Sequence, residues 1–176
     1  MKRTDRGSLG LFADARYEDV SHCDVVLVPG GPGVALAVQD ARLLSWLKRV
    51  DEGSAWTTSV CTGALVLGAA GLLRGRRATT HWLSVDRLAG LGATWDPSRV
   101  VTDGKYMTAA GVSAGIDMAL TLAAYLAGDV VAQAIQLSIE YDPQPPFRAG
   151  NSSEAPAAIV DLVRRVAHRA QPADPG

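Results

Sequence analysis

Cys61 is the residue of this sequence whose surroundings best suit covalent chemistry. It follows a β-rich run, Trp56–Val60, and precedes a small-residue segment with the character of a helix start. A strand, a sharp turn and a helix in this order raise the turn residue above the sheet edge and aim the helix N-terminus at it. Free N–H groups and the helix dipole there favour the thiolate, a strong nucleophile. The pattern therefore predicts a nucleophilic cysteine.

The residues around Cys61 are small enough for a tight turn. Ser59, Thr62, Gly63 and Ala64 give a pattern that resembles the serine nucleophile elbow, with cysteine in the central place. The alternative interpretation is a buried, unreactive cysteine. Thr62 is a second candidate site residue, because its N–H and hydroxyl could both face a substrate. The alternative for Thr62 is simple capping of the helix.

A glycine turn and a histidine are the remaining candidates. Gly30 and Gly31 follow the apolar run Asp24–Val28, and backbone N–H groups without side chains suit a developing negative charge, as in an oxyanion hole. The alternative is a tight turn that needs a positive φ. His81 is a candidate general base or thiolate partner. The alternative, which the pattern favours slightly, is a structural residue at a helix start, and the distance from His81 to Cys61 stays open.

Strands and helices alternate along the chain. Strands are predicted at Asp24–Val28, Trp56–Val60, Arg77–Thr80, Arg99–Thr102 and Tyr106–Ala109. Helices are predicted at Val34–Val50, Thr62–Ala70, His81–Leu88, Ser113–Leu126 (buried, and capped by Ser113), Val130–Tyr141 and 151–170. The alternation indicates an α/β sandwich with a parallel sheet, whose ligands bind beyond the carboxyl ends of the strands. The glycine turn and Cys61 both lie at such ends, so we expect them to face one pocket.

Composition narrows the class of protein. The chain has 176 residues, which we assign to a single domain, 1–176, with residues 1–9 disordered. A formal net charge of -1 and the absence of a long apolar run give no reason to expect nucleic-acid or membrane binding. Two cysteines without a CxxC motif argue against a disulfide scaffold or a zinc site, so we expect no metal and a cytoplasmic location.

Several blocks of the sequence resemble the ThiJ/PfpI superfamily, which has the class I glutamine amidotransferase-like fold. They are Val25–Gly31, Ser59–Ala64, Gly71–Trp82 and Ala110–Asp117. The resemblance implies a flavodoxin-like parallel sheet sandwiched between helices. The proline-rich segment Glu140–Phe147 is similar to that of the isonitrile (cyclohexyl isocyanide) hydratases.

The resemblance also implies a reaction. The Cys61 thiolate would attack the terminal carbon of an isonitrile to give a thioimidate, and water would release an N-substituted formamide. Thr62 would line the pocket, and Gly30 and Gly31 would lie against the reacting group. Such a hydro-lyase acts on a small molecule, needs no cofactor and is usually a homodimer.

Two further readings of the resemblance stay open. One is a ligand-sensing domain related to AraC-type transcriptional regulators, and the other is a ThiJ-like stress or deglycation protein. The family also begins with a β-α-β unit, which supplies a central strand and an acidic partner for the cysteine. The residues before Gly10 do not match that unit. We expect either a late start codon or a degenerate paralogue, and weak or no activity for the chain as it stands.

Overall fold

The computed structural model describes residues 2–3 and 10–170. The chain forms two compact units, one up to Ala132 and one from Gln133 onward, and the assignment of 1–176 to one domain stays a prediction. Lys2–Arg3 (β1) pairs antiparallel with Gly10–Leu11 (β2). The rest of the segment 1–9, for which disorder is predicted, lies outside the described residues.

A four-stranded sheet is the centre of the first unit as the structure describes it. Its strands are β3 (Val25–Val28), β4 (Trp56–Val60), β7 (Val100–Asp103) and β8 (Tyr106–Ala109). The order is β3-β4-β8-β7, in which β3, β4 and β8 are parallel and β7 is antiparallel to β8. Gly104, with φ of 63°, turns the predicted hairpin between β7 and β8. The short strands β5 (Arg77–Ala78) and β6 (Thr94–Trp95) pair separately.

Helices follow the strands along the chain. The α-helices are α1 (Val34–Ala37), α2 (Ala41–Gly53), α3 (Gly63–Ala69), α4 (Val85–Gly90), α5 (Ala114–Ala127), α6 (Asp129–Ser138) and α7 (Ala157–Ala170). Single 3₁₀ turns lie at Tyr17–Asp19 and Trp82–Ser84. Among the described helices, none combines the length and the apolar character that crossing a membrane requires.

The core lies in two apolar clusters that contain sheet residues. One includes Val26 of β3, Leu47 of α2 and Leu65 of α3, and the other includes Met107 of β8 and Met118 of α5. Both clusters are almost fully buried, as expected for a parallel sheet covered by helices. The predicted α/β architecture is therefore confirmed.

The predicted helix Val34–Val50 is wrong as a single element, because Asp40 divides it. The Asp40 carboxylate accepts the N–H groups of Arg42 at 3.0 Å and Leu43 at 3.1 Å, and its backbone is extended. An aspartate with this geometry is an N-cap, so a new helix begins at Ala41. The last helix similarly begins at Ala157, not near residue 151.

The prediction of a buried, Ser113-capped helix is wrong for α5. Only Ala114 and Met118 are buried in it, whereas Tyr125 and Leu126 are 60% and 58% exposed. The helix packs one face against the sheet. Its other faces are also apolar, but an apolar face is buried only where another element packs against it. The Ser113 side chain does not cap the helix.

Candidate active site

Cys61 occupies a strained turn between β4 and α3. Its φ is 59°, and among the described non-glycine residues only Glu140 shares a positive φ. A residue with a side chain in this conformation costs about 1–3 kcal/mol, which the surrounding contacts must offset. The structure therefore places the cysteine in the strand–turn–helix geometry of a nucleophile elbow.

Two hydrogen bonds from separate parts of the chain hold the main chain of Cys61. Its N–H donates to the carbonyl of Ala109, at the end of β8, at 2.9 Å. Its carbonyl accepts the Thr80 hydroxyl at 2.9 Å, and Thr80 is buried. Thr80 is a supporting residue that the sequence reasoning missed, because a threonine after a short strand carries no signal of what its hydroxyl will reach.

The glycine turn lies directly against the elbow. A Cβ added to Gly30 would lie 2.8 Å from the Cβ of Cys61 and 2.8 Å from the backbone nitrogen of Thr62. A Cβ on Gly63 would lie 2.1 Å from the carbonyl oxygen of Val28. A residue with a Cβ would clash at these distances, so only glycine can occupy either position. The turn and the start of α3 can therefore approach each other only because both positions lack a side chain.

Thr62 links the two turns by a hydrogen bond. Its hydroxyl accepts the N–H of Gly31 at 3.1 Å and makes no capping bond to α3. Gly31 itself has a φ of 130°, which favours glycine. The structure thus brings Gly30, Gly31, Cys61 and Thr62 together. It also shows that the Gly31 N–H, predicted for an oxyanion hole, already has a partner.

His81 makes a local contact and not one with the cysteine. Its Nδ1 accepts the N–H of Leu83 at 3.3 Å, so it caps the 3₁₀ turn that begins at Trp82. No hydrogen bond joins His81 to Cys61 within the described part of the chain. Burial lowers the pKa of the His81 imidazole, which keeps it neutral at pH 7. Its predicted role as a general base stays a prediction.

The start of α5 is held by a charged cluster. The Arg99 Nε donates to the Asp117 carboxylate, and its Nη2 donates to the Ser113 hydroxyl at 3.1 Å. Asp117 thus forms an ion pair with Arg99. This cluster lies at the start of α5, the helix that follows β8, and the last residue of β8, Ala109, accepts the Cys61 N–H.

Comparison with known proteins relates this geometry to a family. The model of the DJ-1/PfpI family matches residues 2–125. The isonitrile hydratase of Pseudomonas putida is 48% identical over 162 residues, which are 92% of this chain and 71% of that protein. The HTH-type transcriptional regulator CdhR of Pseudomonas aeruginosa is 34% identical over 76% of this chain, but this match covers only 39% of the regulator.

A solved structure has the same fold. The crystal structure of a ThiJ/PfpI family protein from Pseudomonas syringae superposes with a TM-score of 0.90 at 39% sequence identity, covering 95% of this chain and 69% of that one. The flavodoxin-like arrangement and the resemblance to ThiJ/PfpI proteins are thereby confirmed. The family match spans well over half of the sequence and includes the strained cysteine turn. This chain belongs to the DJ-1/PfpI family.

Proposed function

We propose that this protein is a hydro-lyase of the isonitrile hydratase type, which converts an isonitrile and water into an N-substituted formamide. The observation that carries the proposal is the 48% identity to the Pseudomonas putida enzyme over 92% of the chain. The strained turn at Cys61 and its contact with Gly30 support it, because they expose a thiol beside backbone groups.

The first step is addition of the cysteine to the isonitrile. The Cys61 sulfur forms a bond to the terminal carbon of R–NC, and the proton that the thiol gives up is taken up by that carbon, so that the product is the thioimidate R–N=CH–S–Cys61. Thr62 is the N-cap residue of α3, and the N–H groups at this end of a helix have no partner within the helix. The Thr62 N–H is the donor that we assign to the charge that develops on the substrate.

The second step is hydrolysis of the thioimidate. Water adds to the same carbon, and the C–S bond breaks. One proton of the water ends on the nitrogen and the other on the sulfur, which leaves R–NH–CHO and the free thiol. Gly30 and Gly31 form the wall beside the reacting carbon. The hydrogen bond from Gly31 to the Thr62 hydroxyl keeps this wall in register with the sulfur.

The decisive experiment compares the two cysteines. With cyclohexyl isocyanide as the probe, Cys61→Ser should lower formamide production by roughly a thousandfold or more, because serine at this position is a far weaker nucleophile. Cys23→Ser is the matched control, since Cys23 precedes the opposite end of β3. It should retain the parent rate. Chromatography of the formamide measures both.

The outcomes separate the assignment of the nucleophile from that of the reaction. Undiminished turnover by Cys61→Ser would contradict the nucleophile. Absence of turnover both by the parent chain and by a form extended with the family's β-α-β unit and its acidic residue, with Cys61 still alkylated by iodoacetamide, would contradict the substrate class.

We further propose that the protein acts as a cytoplasmic homodimer. Apolar side chains exposed on α5, including Ile116 and Leu126, support association because large exposed apolar residues favour burial. Sedimentation velocity should give twice the monomer mass of 18.4 kDa. A monomer at micromolar concentration would contradict this.

Ligand sensing is the second candidate function, and the similarity to CdhR over 76% of the chain favours it. A sensor would bind a small molecule at the same turn without converting it. Calorimetry on the Cys61→Ser variant distinguishes the two, because a sensor keeps its affinity and shows no product with the parent cysteine.

A further inference from the structure

The surroundings of the elbow account for only one end of a substrate. The groups placed against Cys61 include main-chain atoms, the glycine turn and the Thr62 hydroxyl. They suit the reacting carbon of an isonitrile, R–NC, but they offer little apolar surface to the group R behind it. Contacts that shield an apolar R from water must therefore come from side chains farther from the sulfur.

The order of the strands places a second turn beside the elbow. Since β4 lies between β3 and β8 and all three are parallel, the turns that follow them share one edge of the sheet. The glycine turn follows β3, Cys61 follows β4, and the segment 110–113, which we call the β8 turn, follows β8. The β8 turn is thus the neighbour of Cys61 on the side away from the glycine turn.

Contacts at both ends fix the β8 turn next to the elbow. Before the turn, the Ala109 carbonyl accepts the Cys61 N–H at 2.9 Å. After it, a Cβ on Gly115 would lie 3.2 Å from the side chain of Val60, so the first turn of α5 packs against the residue that precedes the cysteine. Val112 is three residues from either contact, and three residues span at most about 11 Å. Val112 is therefore held at the rim of the site.

Val112 is the large apolar side chain of the β8 turn, and it is 80% exposed. A single exposed valine is ordinary on a protein surface, but this one stands beside a thiol. Its carbonyl accepts the Gly115 N–H at 3.3 Å, and the Ser113 hydroxyl that follows it accepts a hydrogen bond from Arg99 at 3.1 Å. A β-branched side chain also has few χ1 choices, so it presents an apolar surface in a fixed place.

We infer that Val112 is a specificity-determining residue that contacts R, and that the site takes substrates in which R is a bulky apolar group. The inference rests on the proposed hydratase function for the identity of the electrophile. Contact between the Val112 methyl groups and R removes apolar area from water, which strengthens the binding of substrates with a larger R. A charged R would lose hydration there without gaining a hydrogen bond from valine, so it should react more slowly.

The first test measures alkylation of Cys61 and needs no turnover. Iodoacetamides with an N-methyl or an N-cyclohexyl group react with the full chain, and mass spectrometry of the Cys61 peptide gives two rate constants, each divided by that for free cysteine. The parent should prefer the cyclohexyl reagent by about fivefold or more. Val112→Ala should reduce this preference to less than about twofold, because it removes apolar contact area. Cys23 in the same molecule should give one ratio in both chains.

Two further variants separate the chemistry of the side chain from its position. Val112→Thr keeps the shape but places a hydroxyl against R, so it should lower the preference as alanine does. Val130→Ala is the matched control: Val130 is 82% exposed and follows α5, whose 14 residues span about 21 Å, whereas Val112 precedes that helix. It should keep the parent preference, and an equal loss in Val130→Ala would overturn the inference.

Turnover distinguishes failure of this inference from failure of the hydratase proposal. With methyl and cyclohexyl isocyanide as substrates of the parent chain or of its extended form, Val112→Ala should lower kcat/KM about fivefold for the cyclohexyl compound and less than about twofold for the methyl compound. Formamide production with unchanged selectivity in both assays would overturn the inference and leave the hydratase proposal intact. A lost preference in alkylation, without formamide from either form, would support the Val112 contact and contradict the hydratase reaction.

Assembly is the remaining role that Val112 could have. Melting temperature and sedimentation coefficient are therefore measured for each variant, and all should match the parent. Equal losses of rate for both reagents, together with an altered sedimentation coefficient, would overturn the inference, because Val112 would then act in contact between subunits.

Discussion

Gly30 determines how closely the glycine turn can approach the sulfur-bearing residue. Its missing side chain leaves room for the Cβ of Cys61 and for the Thr62 nitrogen, both within 2.8 Å of where a Gly30 Cβ would lie. These atoms belong to a main chain already held by hydrogen bonds to Ala109 and Thr80, so they cannot easily move away.

Gly30→Ala should therefore impair the site more than the fold. Overpacking of this kind costs about 1–3 kcal/mol, and we expect a loss of tenfold or more in the rate of Cys61 alkylation and in turnover. Gly33→Ala is the control, because an added Cβ there meets nothing within 4 Å. Unchanged alkylation in Gly30→Ala would contradict the close contact.

His81 should make stability depend on pH. Burial lowers its pKa below the ordinary value of 6.5, so the unfolded chain binds a proton there at a higher pH than the folded protein does. The contribution of neutral His81 to the free energy of unfolding is thus complete above about pH 6.5 and is lost as the pH falls toward the folded-state pKa. His81→Asn, which retains an acceptor for the Leu83 N–H, should flatten this slope in urea unfolding measured from about pH 7.5 to 5.5. An unchanged slope would contradict the assignment.

The position of the cysteine could be predicted, but its supports could not. A β-rich run followed by small residues is a local signal, and it predicts the turn at Cys61 correctly. The hydroxyl of Thr80 and the carbonyl of Ala109 reach Cys61 through the tertiary fold. Nothing in their local sequence indicates which atom they will bind.

Contact between β3 and α3 depends on a single position of the helix. Gly63 begins α3 and faces the Val28 carbonyl oxygen, which would lie 2.1 Å from a Cβ at this position. The first turn of α3 is buried, so the helix has little freedom to shift away. The geometry of the elbow therefore requires glycine at this position for packing.

Gly63→Ala should destabilise the fold by roughly 3 kcal/mol or more, since the clash involves main chain that cannot rotate aside. Gly90→Ala, at the end of α4, should be neutral or stabilising by up to about 1 kcal/mol, because its Cβ would enter open space. Urea denaturation measures both. Similar costs for the two substitutions would contradict the packing argument.

The type of an element could be predicted where neighbouring residues carry the signal. The residues at which elements begin and end were harder to predict. The strand and glycine turn at Val25–Gly31 and the hairpin around Gly104 follow from apolar runs and turn residues. The break at Asp40 is a matter of capping: its carboxylate competes with helix continuation, and apolar periodicity on both sides conceals it. Exposure of α5 could not be predicted, because composition does not reveal which faces receive a partner.

A buried polar cluster stabilises the first unit at the end of the sheet opposite Cys61. Asp51 of α2 accepts the Tyr106 hydroxyl at 2.9 Å and the Thr57 hydroxyl at 2.6 Å, and Lys105 lies 3.4 Å away. Each buried group is thus satisfied, and the cluster joins α2, β4 and β8. Burial, followed by the hydrogen bond to Asp51, raises the pKa of Tyr106 to about 12.

Tyr106 should make the protein sensitive to alkali. The folded state holds this proton more tightly than the unfolded chain, so the contribution is complete below about pH 10 and is lost as the pH rises through about 12. Tyr106→Phe should cost roughly 1–3 kcal/mol at neutral pH and remove that loss. Tyr125→Phe, at an exposed tyrosine, is the control. Ultraviolet titration and urea unfolding measure both, and identical alkaline profiles would contradict the prediction.

The position of the Cys61 sulfur depends largely on main-chain atoms and on two missing side chains, together with the hydroxyls of Thr80 and Thr62. Side chains farther out in the surrounding pocket can therefore be exchanged without moving the nucleophile. The electrophile that a relative accepts, or whether it reacts at all, can diverge while the thiol stays in place. Such a separation of reactivity from selectivity is consistent with one elbow occurring in chains related both to a hydratase and to a transcriptional regulator.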